Sequence, residues 1–549
     1  MVDLKKLSLM GLLAVNISLG AAAYNTVSAQ DSDPLRGAPE NWFNLDKEKG
    51  GVYGIGTEAA YNEILKGKKS TKVVVAVIDS GIDIDHEDLK DIIWTNEKEI
   101  AGNGKDDDNN GYIDDVHGWN FIGGANGENV SEDNLEVTRE FARLNAKYGD
   151  KTEEEISKAD KKEFEYYQQV KESYDKGYQK SLQSLMQYSA IQQEFLRSKK
   201  LMEAYFGVEE VPLDSLSDFS SPDENVMLMA ELFKELKAQG VGEEDLQEAV
   251  DYFTSQVKYS YNTDFNSREV IGDDYANLKE KGYGNNDVIG PGAEHGTHVA
   301  GIIGAVRNNN LGIKGVADNV EIMVLRAVPD GDERDKDIAN AIRYAADNGA
   351  RVINMSFGKA FSPDKEAVDE AVKYAIGKGV LFVHAAGNDN KNTDKESNFP
   401  SANYLKGGYA KNWIEVGALN WKDDETMPAT FSNYAKKRVD IFAPGVDIYS
   451  TVPGSKYEAY NGTSMASPVV AGAAAVLMSY YPSMSAADVK KVLIKSAIDM
   501  KKKEVYLPGY KRDLAQGKEP EKVKFGELSN SGGIVNLYNA VKYADKRYK

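Results

Sequence analysis

Residues 71–81 read Thr-Lys-Val-Val-Val-Ala-Val-Ile-Asp-Ser-Gly. Six of the first eight are apolar, and they do not alternate with polar residues. A strand with one face in water shows a period of two, whereas an unbroken β-branched run fits a strand covered on both faces. Similar runs recur at 321–328, 351–355 and 380–384, with helical patterns between them at 335–348 and 364–378. Strands alternating with helices imply βαβ units. The expected fold is α/β: a doubly wound, mostly parallel sheet carrying helices on both faces through right-handed crossovers.

The chain has 549 residues, long enough for more than one domain and a sizeable core. Acidic residues outnumber basic ones 87 to 66, a formal charge of −21. That balance excludes a phosphate-backbone binder, so no nucleic-acid partner is expected. It favours solubility and divalent cations. With no cysteine, there is no disulfide, thiolate metal site or cysteine nucleophile. Five histidines, His86, His117, His295, His298 and His384, bound any imidazole chemistry.

Residues 1–29 read as a secretory leader: Lys5 and Lys6, an apolar run over 7–23, then Val27-Ser28-Ala29 before Gln30. Cleavage between Ala29 and Gln30 would send the mature chain out of the cytoplasm, secreted or periplasmic, with no stable membrane association. The apolar run is short for a membrane span and carries an Asn. Residues 128–284 differ from their flanks, with few glycines and many Glu, Lys, Gln and Tyr. They read as an inserted helical subdomain dividing an α/β domain of 30–127 and 285–549. Ser221-Pro222-Asp223-Glu224 resembles a helix start with Ser221 as the cap, and Gly240 a stop. Thr152 with Glu155 forms a second capping box, and 161–197 has the composition of surface helix.

Three segments carry chemistry: Asp79-Ser80-Gly81 after the first strand, His295-Gly296-Thr297-His298, and Gly462-Thr463-Ser464-Met465-Ala466-Ser467-Pro468 opening an apolar helix. A hydroxyl nucleophile needs a base, and the base needs an orienting partner. In open α/β sheets such groups gather beyond the carboxyl ends of the strands. Each segment alone has an ordinary reading: a strand-end cap, a packed histidine, a helix cap. The three in this order resemble the subtilisin-type serine proteases, the subtilase or S8 peptidase family, over 40–125 and 285–549.

That resemblance implies roles. Ser464 would be the nucleophile, His295 the general base and acid, Asp79 the residue orienting the imidazole, and Asn388, in Ala385-Ala386-Gly387-Asn388, the side-chain donor to the oxyanion. Ser356, Phe357 and Gly358 would pair with the substrate backbone and wall the specificity pocket together with Ala385, Ala386 and Gly387. These residues suggest a broad or apolar preference at the residue before the scissile bond. His298 and His86 are assigned to packing, and His384 has no assigned role.

Calcium is the expected structural cofactor, with none for catalysis. In 105–115, Lys-Asp-Asp-Asp-Asn-Asn-Gly-Tyr-Ile-Asp-Asp, the residues Asp106, Asp108 and Asn110 match the start of an oxygen-ligand calcium loop. Asp114 and Asp115 are candidates to complete it, because the usual distal Glu is replaced by His117. The family resemblance implies a second site using Asp88 and Asn309.

Asp79 and His295 lie 216 residues apart, far more than the family pattern needs, which is why 128–284 reads as an insertion: a decoration, an exosite or lid, or a folding aid. About 50 residues between the expected cleavage site and Asp79 leave no room for the pro-domain many relatives carry. The expected function is a secreted serine endopeptidase acting on proteins or peptides through an acyl-enzyme. The alternatives are a narrow processing protease or an inactive binding protein on a protease fold. The intact residues argue against the last.

Overall fold

The computed structural model describes residues 37–217 and 219–548, so the expected leader at 1–29 lies outside the described residues. Contacts divide the chain into two compact units, one running up to Ser131 and resuming at Ser267, the other Glu132–Asn266.

The strands are β1 (Val73–Asp79), β2 (Gly118–Asn120), β3 (Val320–Arg326), β4 (Val352–Met355), β5 (Leu381–Ala385), β6 (Trp413–Leu419) and β7 (Ile441–Pro444). They continue with β8 (Ile448–Val452), β9 (Lys456–Tyr460), β10 (Ile498–Asp499), β11 (Glu504–Tyr506), β12 (Lys522–Lys524) and β13 (Gly533–Ile534). Helices of eight or more residues are α1 (Glu136–Tyr148), α2 (Lys161–Phe206), α3 (Glu224–Ala238), α4 (Glu243–Ser255) and α5 (Glu294–Gly304). They continue with α6 (Asp335–Asp347), α7 (Lys365–Gly377), α8 (Thr463–Tyr480), α9 (Ala486–Ser496) and α10 (Leu537–Ala544).

Among the described residues the larger unit is built on a nine-stranded sheet in the order β10-β13-β7-β6-β5-β4-β1-β3-β2. Its pairings are parallel except β10 with β13. The period-two geometry of a strand sends Val73, Val75 and Val77 of β1 into one core with α5 and α8. Ala76 and Ile78 go into the other, with α6 and α7. Both faces being dry explains the unbroken run that opens the sequence. Each fully buried Val or Ile contributes roughly 1.5–3 kcal/mol. The order β3-β1-β4 makes the carboxyl end of β1 a switch point, the place where open α/β sheets leave a crevice.

Among the described residues α8 alone is long and apolar enough to cross a membrane, but 89% of it is buried inside the fold. Burial against β4, β5, β6 and β7 accounts for its apolarity.

The smaller unit is helical. Its long helix α2, 46 residues or about 69 Å, packs α1 near one end, where Tyr148, Phe164 and Tyr167 cluster. Near the other end, Phe195, Met202, Phe233 and Leu246 form a second cluster with α3 and α4. The box of Thr152 and Glu155 forms as expected and closes a single 3₁₀ turn, and the long helix starts at Lys161. Two local expectations are corrected. The cap of α3 is Asp223, whose carboxylate accepts from the Asn225 N–H, because Ser221 lies two residues too early. The smaller unit is also shorter than 128–284. Residues 267–284 belong to the larger one because a buried ionic network holds them there. The Arg268 guanidinium reaches Asp273 at 2.8 and 2.5 Å and Asp337 at 2.6 Å. Lys336 reaches Asp273 and Glu280, and the Tyr283 hydroxyl donates to Asp337 at 2.7 Å.

Candidate active site

Asp79 is the last residue of β1, and His295 the second of α5. Both are buried, and Oδ1 of Asp79 lies 2.6 Å from Nδ1 of His295. The same oxygen accepts from the Ser80 N–H at 2.8 Å. Oδ2 is buried with no hydrogen-bond partner. The neighbouring glycines explain how helix and strand end come so close. A Cβ on Gly296 would lie 2.1 Å from the Gly81 carbonyl, and one on Gly81, at φ +118°, 2.0 Å from the Ile289 carbonyl. Behind this pair, the Thr451 and Ser450 hydroxyls of β8 donate to the carbonyls of Thr297 and His298, both at 2.7 Å.

Ser464 is the second residue of α8, half-buried, with its hydroxyl donating to the Ser356 carbonyl at 3.1 Å. Pro468 stands four residues on and cannot donate to the Ser464 carbonyl, as the fifth residue of a helical turn normally does. The Ser356 hydroxyl takes that place at 2.9 Å. Ser356 is in turn held by the Asn354 amide at 3.0 Å, and Asn354 accepts from the Ser467 hydroxyl at 2.8 Å. The exchange ties the end of β4 to the first turn of α8.

Asn388 follows Gly387, whose φ of +99° favours glycine. Its Oδ1 accepts from the Thr463 N–H at 2.9 Å and the Thr463 hydroxyl at 2.8 Å. Those two donors leave the amide Nδ2 as the outward group, beside Gly462. Ser356, Phe357 and Gly358 continue from β4; Ala385 ends β5, and Ala386 and Gly387 follow it. Asn398 bridges the two walls. Its Nδ2 donates to the Ala386 carbonyl at 3.2 Å, and its Oδ1 lies 3.0 Å from where a Gly358 Cβ would be.

Of the histidines assigned to packing, His298 is buried, stacked on Tyr460 at 4.4 Å, and bonded to the Glu458 carbonyl at 3.1 Å. Burial pushes it down to about 3. His86 packs edge-on against Tyr457 and meets the Lys456 carbonyl at 3.1 Å.

The carboxylates expected to bind calcium are only partly gathered. Ligand oxygens of Glu99, Asp106 and Asp108 lie within 4.8 Å of one another. Glu99 was not anticipated, because it comes from the chain before the loop. Asp114 and Asp115 fall outside this trio. Asn110 Oδ1 accepts from the Tyr112 N–H at 2.8 Å. Asp114, at φ +53°, caps the N–H groups of Asn103 and Gly104. Asp115 is buried against Asn96, Asn110 and Tyr344, and burial pushes its carboxyl up to about 6. At the second position, Asn309 donates to Asp88 at 2.6 Å, and the Ile313 N–H adds a bond at 3.2 Å. Burial raises Asp88, and no Lys or Arg pairs with it among the described residues.

Arg326, the last residue of β3 and register partner of Asp79, was also missed. Its buried guanidinium donates to the carbonyls of Ser80 at 2.9 Å, Val130 at 2.6 Å and Pro291 at 3.2 Å, and to Asn120 Oδ1 at 3.1 Å. Burial lowers it to about 10. It joins the turn after Asp79 to the chain just before His295, although 216 residues separate those two. A lone Arg ending an apolar strand gives no sign of this in sequence.

A family model described as the subtilase family, peptidase S8, matches residues 70–526. The chain belongs to the subtilase family. The relatives of this subtilase carry the names of serine proteinases and subtilisins. A thermophilic serine proteinase of Bacillus sp. (strain AK1) is 47% identical over 186 residues, covering 34% of this chain and 42% of that protein. Subtilisin DY of Bacillus licheniformis is 38% identical over 210 residues, 38% of this chain and 72% of that one. Subtilisin E of Bacillus subtilis (strain 168) is 38% identical over 207 residues, 38% of this chain and 51% of that one. This subtilase therefore spans from about two fifths to under three quarters of these relatives' own lengths. A solved structure of a cold-adapted subtilisin-like serine proteinase aligns with 38% of this chain and 68% of that one, at 32% identity and a TM-score of 0.32.

Proposed function

We propose that this subtilase hydrolyses peptide bonds through Asp79, His295 and Ser464. The observation that carries the reading is the 2.6 Å contact between the buried Asp79 carboxylate and Nδ1 of His295. It leaves Nε2 as the nitrogen for proton transfer. The Ser464 hydroxyl turns from the Ser356 carbonyl to that nitrogen. Its oxygen then attacks the substrate carbonyl carbon as its proton passes to Nε2. The negative charge on the former carbonyl oxygen is met by Nδ2 of Asn388 and the N–H groups opening α8. On collapse the carbon–nitrogen bond breaks, His295 gives its proton to the leaving amine, and an acyl-enzyme on Ser464 remains. Water repeats the sequence and releases the acid.

The substrate lies along Ser356, Phe357 and Gly358 as an added strand. Asn398, an uncharged amide between the walls, fits a broad or apolar preference before the scissile bond. A narrower processing role uses the same chemistry and differs only in substrate range. The chain acts outside the cytoplasm.

Calcium is proposed as a structural ion. Three carboxylates within 4.8 Å repel one another unless a cation sits among them, and a buried Glu99 oxygen lacks a hydrogen-bond partner. The oxygen-only donors suit calcium. Asp88, buried and paired with no Lys or Arg among the described residues, fits a second ion with Asn309, whose amide would turn to offer its oxygen.

The testing experiment is labelling of the purified protein with a fluorophosphonate probe and mapping of the adduct by peptide mass. A single adduct on Ser464, lost in Ser464→Ala and in His295→Ala, is expected. Labelling elsewhere, or full turnover in Ser464→Ala, overturns the assignment.

A further inference from the structure

His384 lies on β5, beside Met355 of β4 and Glu415 of β6 in the sheet register. Its ring is fully buried. Nδ1 lies 3.0 Å from each carboxylate oxygen of Glu415, and Nε2 lies 2.9 Å from the Phe357 carbonyl oxygen. Glu415 is itself fixed. The Trp413 indole N–H donates to Oε2 at 2.7 Å, and the Glu415 N–H is held by Asp440 at 3.1 Å.

A carbonyl oxygen only accepts, so Nε2 must carry a proton. Facing it with a bare nitrogen would set two lone pairs against each other in a dry interior. On the other side, Nδ1 either donates to the Glu415 carboxylate or accepts from its acid form. Both arrangements leave the Nε2–H aimed at Phe357. A buried polar network of this kind is costly unless every member is satisfied, and here each has its partner.

Its effect reaches the substrate-binding segment through one peptide plane. The Phe357–Gly358 bond is trans, so its carbonyl and N–H point in opposite directions. Holding the Phe357 oxygen inward on His384 turns the Gly358 N–H outward. Gly358 is exposed, and its N–H has no acceptor among the described residues. Glycine alone would not hold that plane, because its backbone rotates freely.

We propose that His384, clamped by Glu415, is a positioning residue that fixes this peptide plane and presents the Gly358 N–H to an extended peptide substrate. The proposal rests on the reading that Ser356–Gly358 pairs with substrate. Gly358 lies two residues beyond Ser356, whose carbonyl touches the Ser464 hydroxyl. A substrate strand must therefore run roughly 7 Å from the scissile bond to use it. Single-residue substrates do not reach that far.

The test compares His384→Ala, His384→Asn and His384→Gln in the full chain, using one-residue and four-residue peptidyl anilides. Glutamine carries its N–H near the place of Nε2, whereas asparagine is too short to reach. We expect Ala and Asn to raise KM for the four-residue substrate by about three- to tenfold, the worth of one peptide hydrogen bond. kcat should change less than that, and KM for the one-residue substrate should barely move. Glutamine should bring KM back to within about threefold of wild type. Equal effects on short and long substrates, loss confined to kcat, or a Gln variant no better than Asn would each overturn the proposal. If His384→Ala does not fold, the Asn and Gln pair decides alone. A wild-type protein that hydrolyses neither anilide sinks the reading beneath it, and this proposal with it.

Discussion

Asn388 depends on one neighbour for its direction. Thr463 gives the amide oxygen two donors, so the nitrogen is turned outward beside Gly462 without needing substrate to orient it, as the proposed oxyanion role requires. Asn388→Ala is expected to lower kcat by about 10²–10³, the figure known for this donor in subtilisin itself, with little change in KM. Steady-state kinetics on a peptidyl anilide checks this. His298 makes a prediction about pH. Its folded value, about 3, lies below the ordinary 6.5 because the ring is buried. Below pH 6.5 the unfolded chain binds a proton that the folded chain refuses until near pH 3. This contribution to stability is therefore full above about pH 6.5 and is lost as pH falls through that window. Melting temperatures between pH 7.5 and 4 should fall less steeply in His298→Gln, which does not titrate. Parallel slopes would refute the assignment.

At the scale of elements, the site depends on how closely helix starts approach strand ends. α5 carries His295 to Asp79 because Gly296 and Gly81 have no side chains where the two backbones meet. Gly296→Ala should favour the isolated helix by about 1 kcal/mol. In the fold its Cβ would lie 2.1 Å from a backbone oxygen, so the helix must move away. A shift of that order is expected to lower kcat/KM by about 10²-fold while the far-ultraviolet circular dichroism holds. Wild-type activity would mean that the contact gives way elsewhere. α8 is anchored differently: Pro468 withholds a helical hydrogen bond, and Ser356 fills the vacancy. The first turn of α8 and the segment after β4 thereby share one pair of hydrogen bonds.

For the whole molecule, two features go beyond a bare protease domain: the helical unit Glu132–Asn266 and the acidic loops. The proposed calcium ions bind only the folded chain and stabilise it by mass action. Excess chelator should lower the melting temperature by several degrees, and added calcium should restore it. No change in a sample shown to be calcium-loaded would count against both sites. The network of Arg268, Lys336, Asp273, Asp337 and Tyr283 works in the larger unit as the anchor of 267–284.

Periodicity and local chemistry were legible in the sequence alone. The unbroken run of β1 marked a strand buried on both sides, and Asp79, His295, Asn388 and Ser464 stood out because each sits in a short motif of fixed residues. Those features concern neighbours along the chain, which is what sequence patterns record. The tertiary structure decided the rest, because the partner of a polar group often comes from a distant segment. Arg268 and Lys336 belong to no motif in the sequence, and only the fold brings Asp337 and Asp273 beside them, which places 267–284 with the larger unit. Glu99 joined Asp106 and Asp108 from outside the loop, while Asp114 turned to cap backbone N–H groups. Arg326 and His384 each look ordinary in sequence. Their meaning depends on which carbonyl oxygens the folded chain brings within reach of their N–H groups.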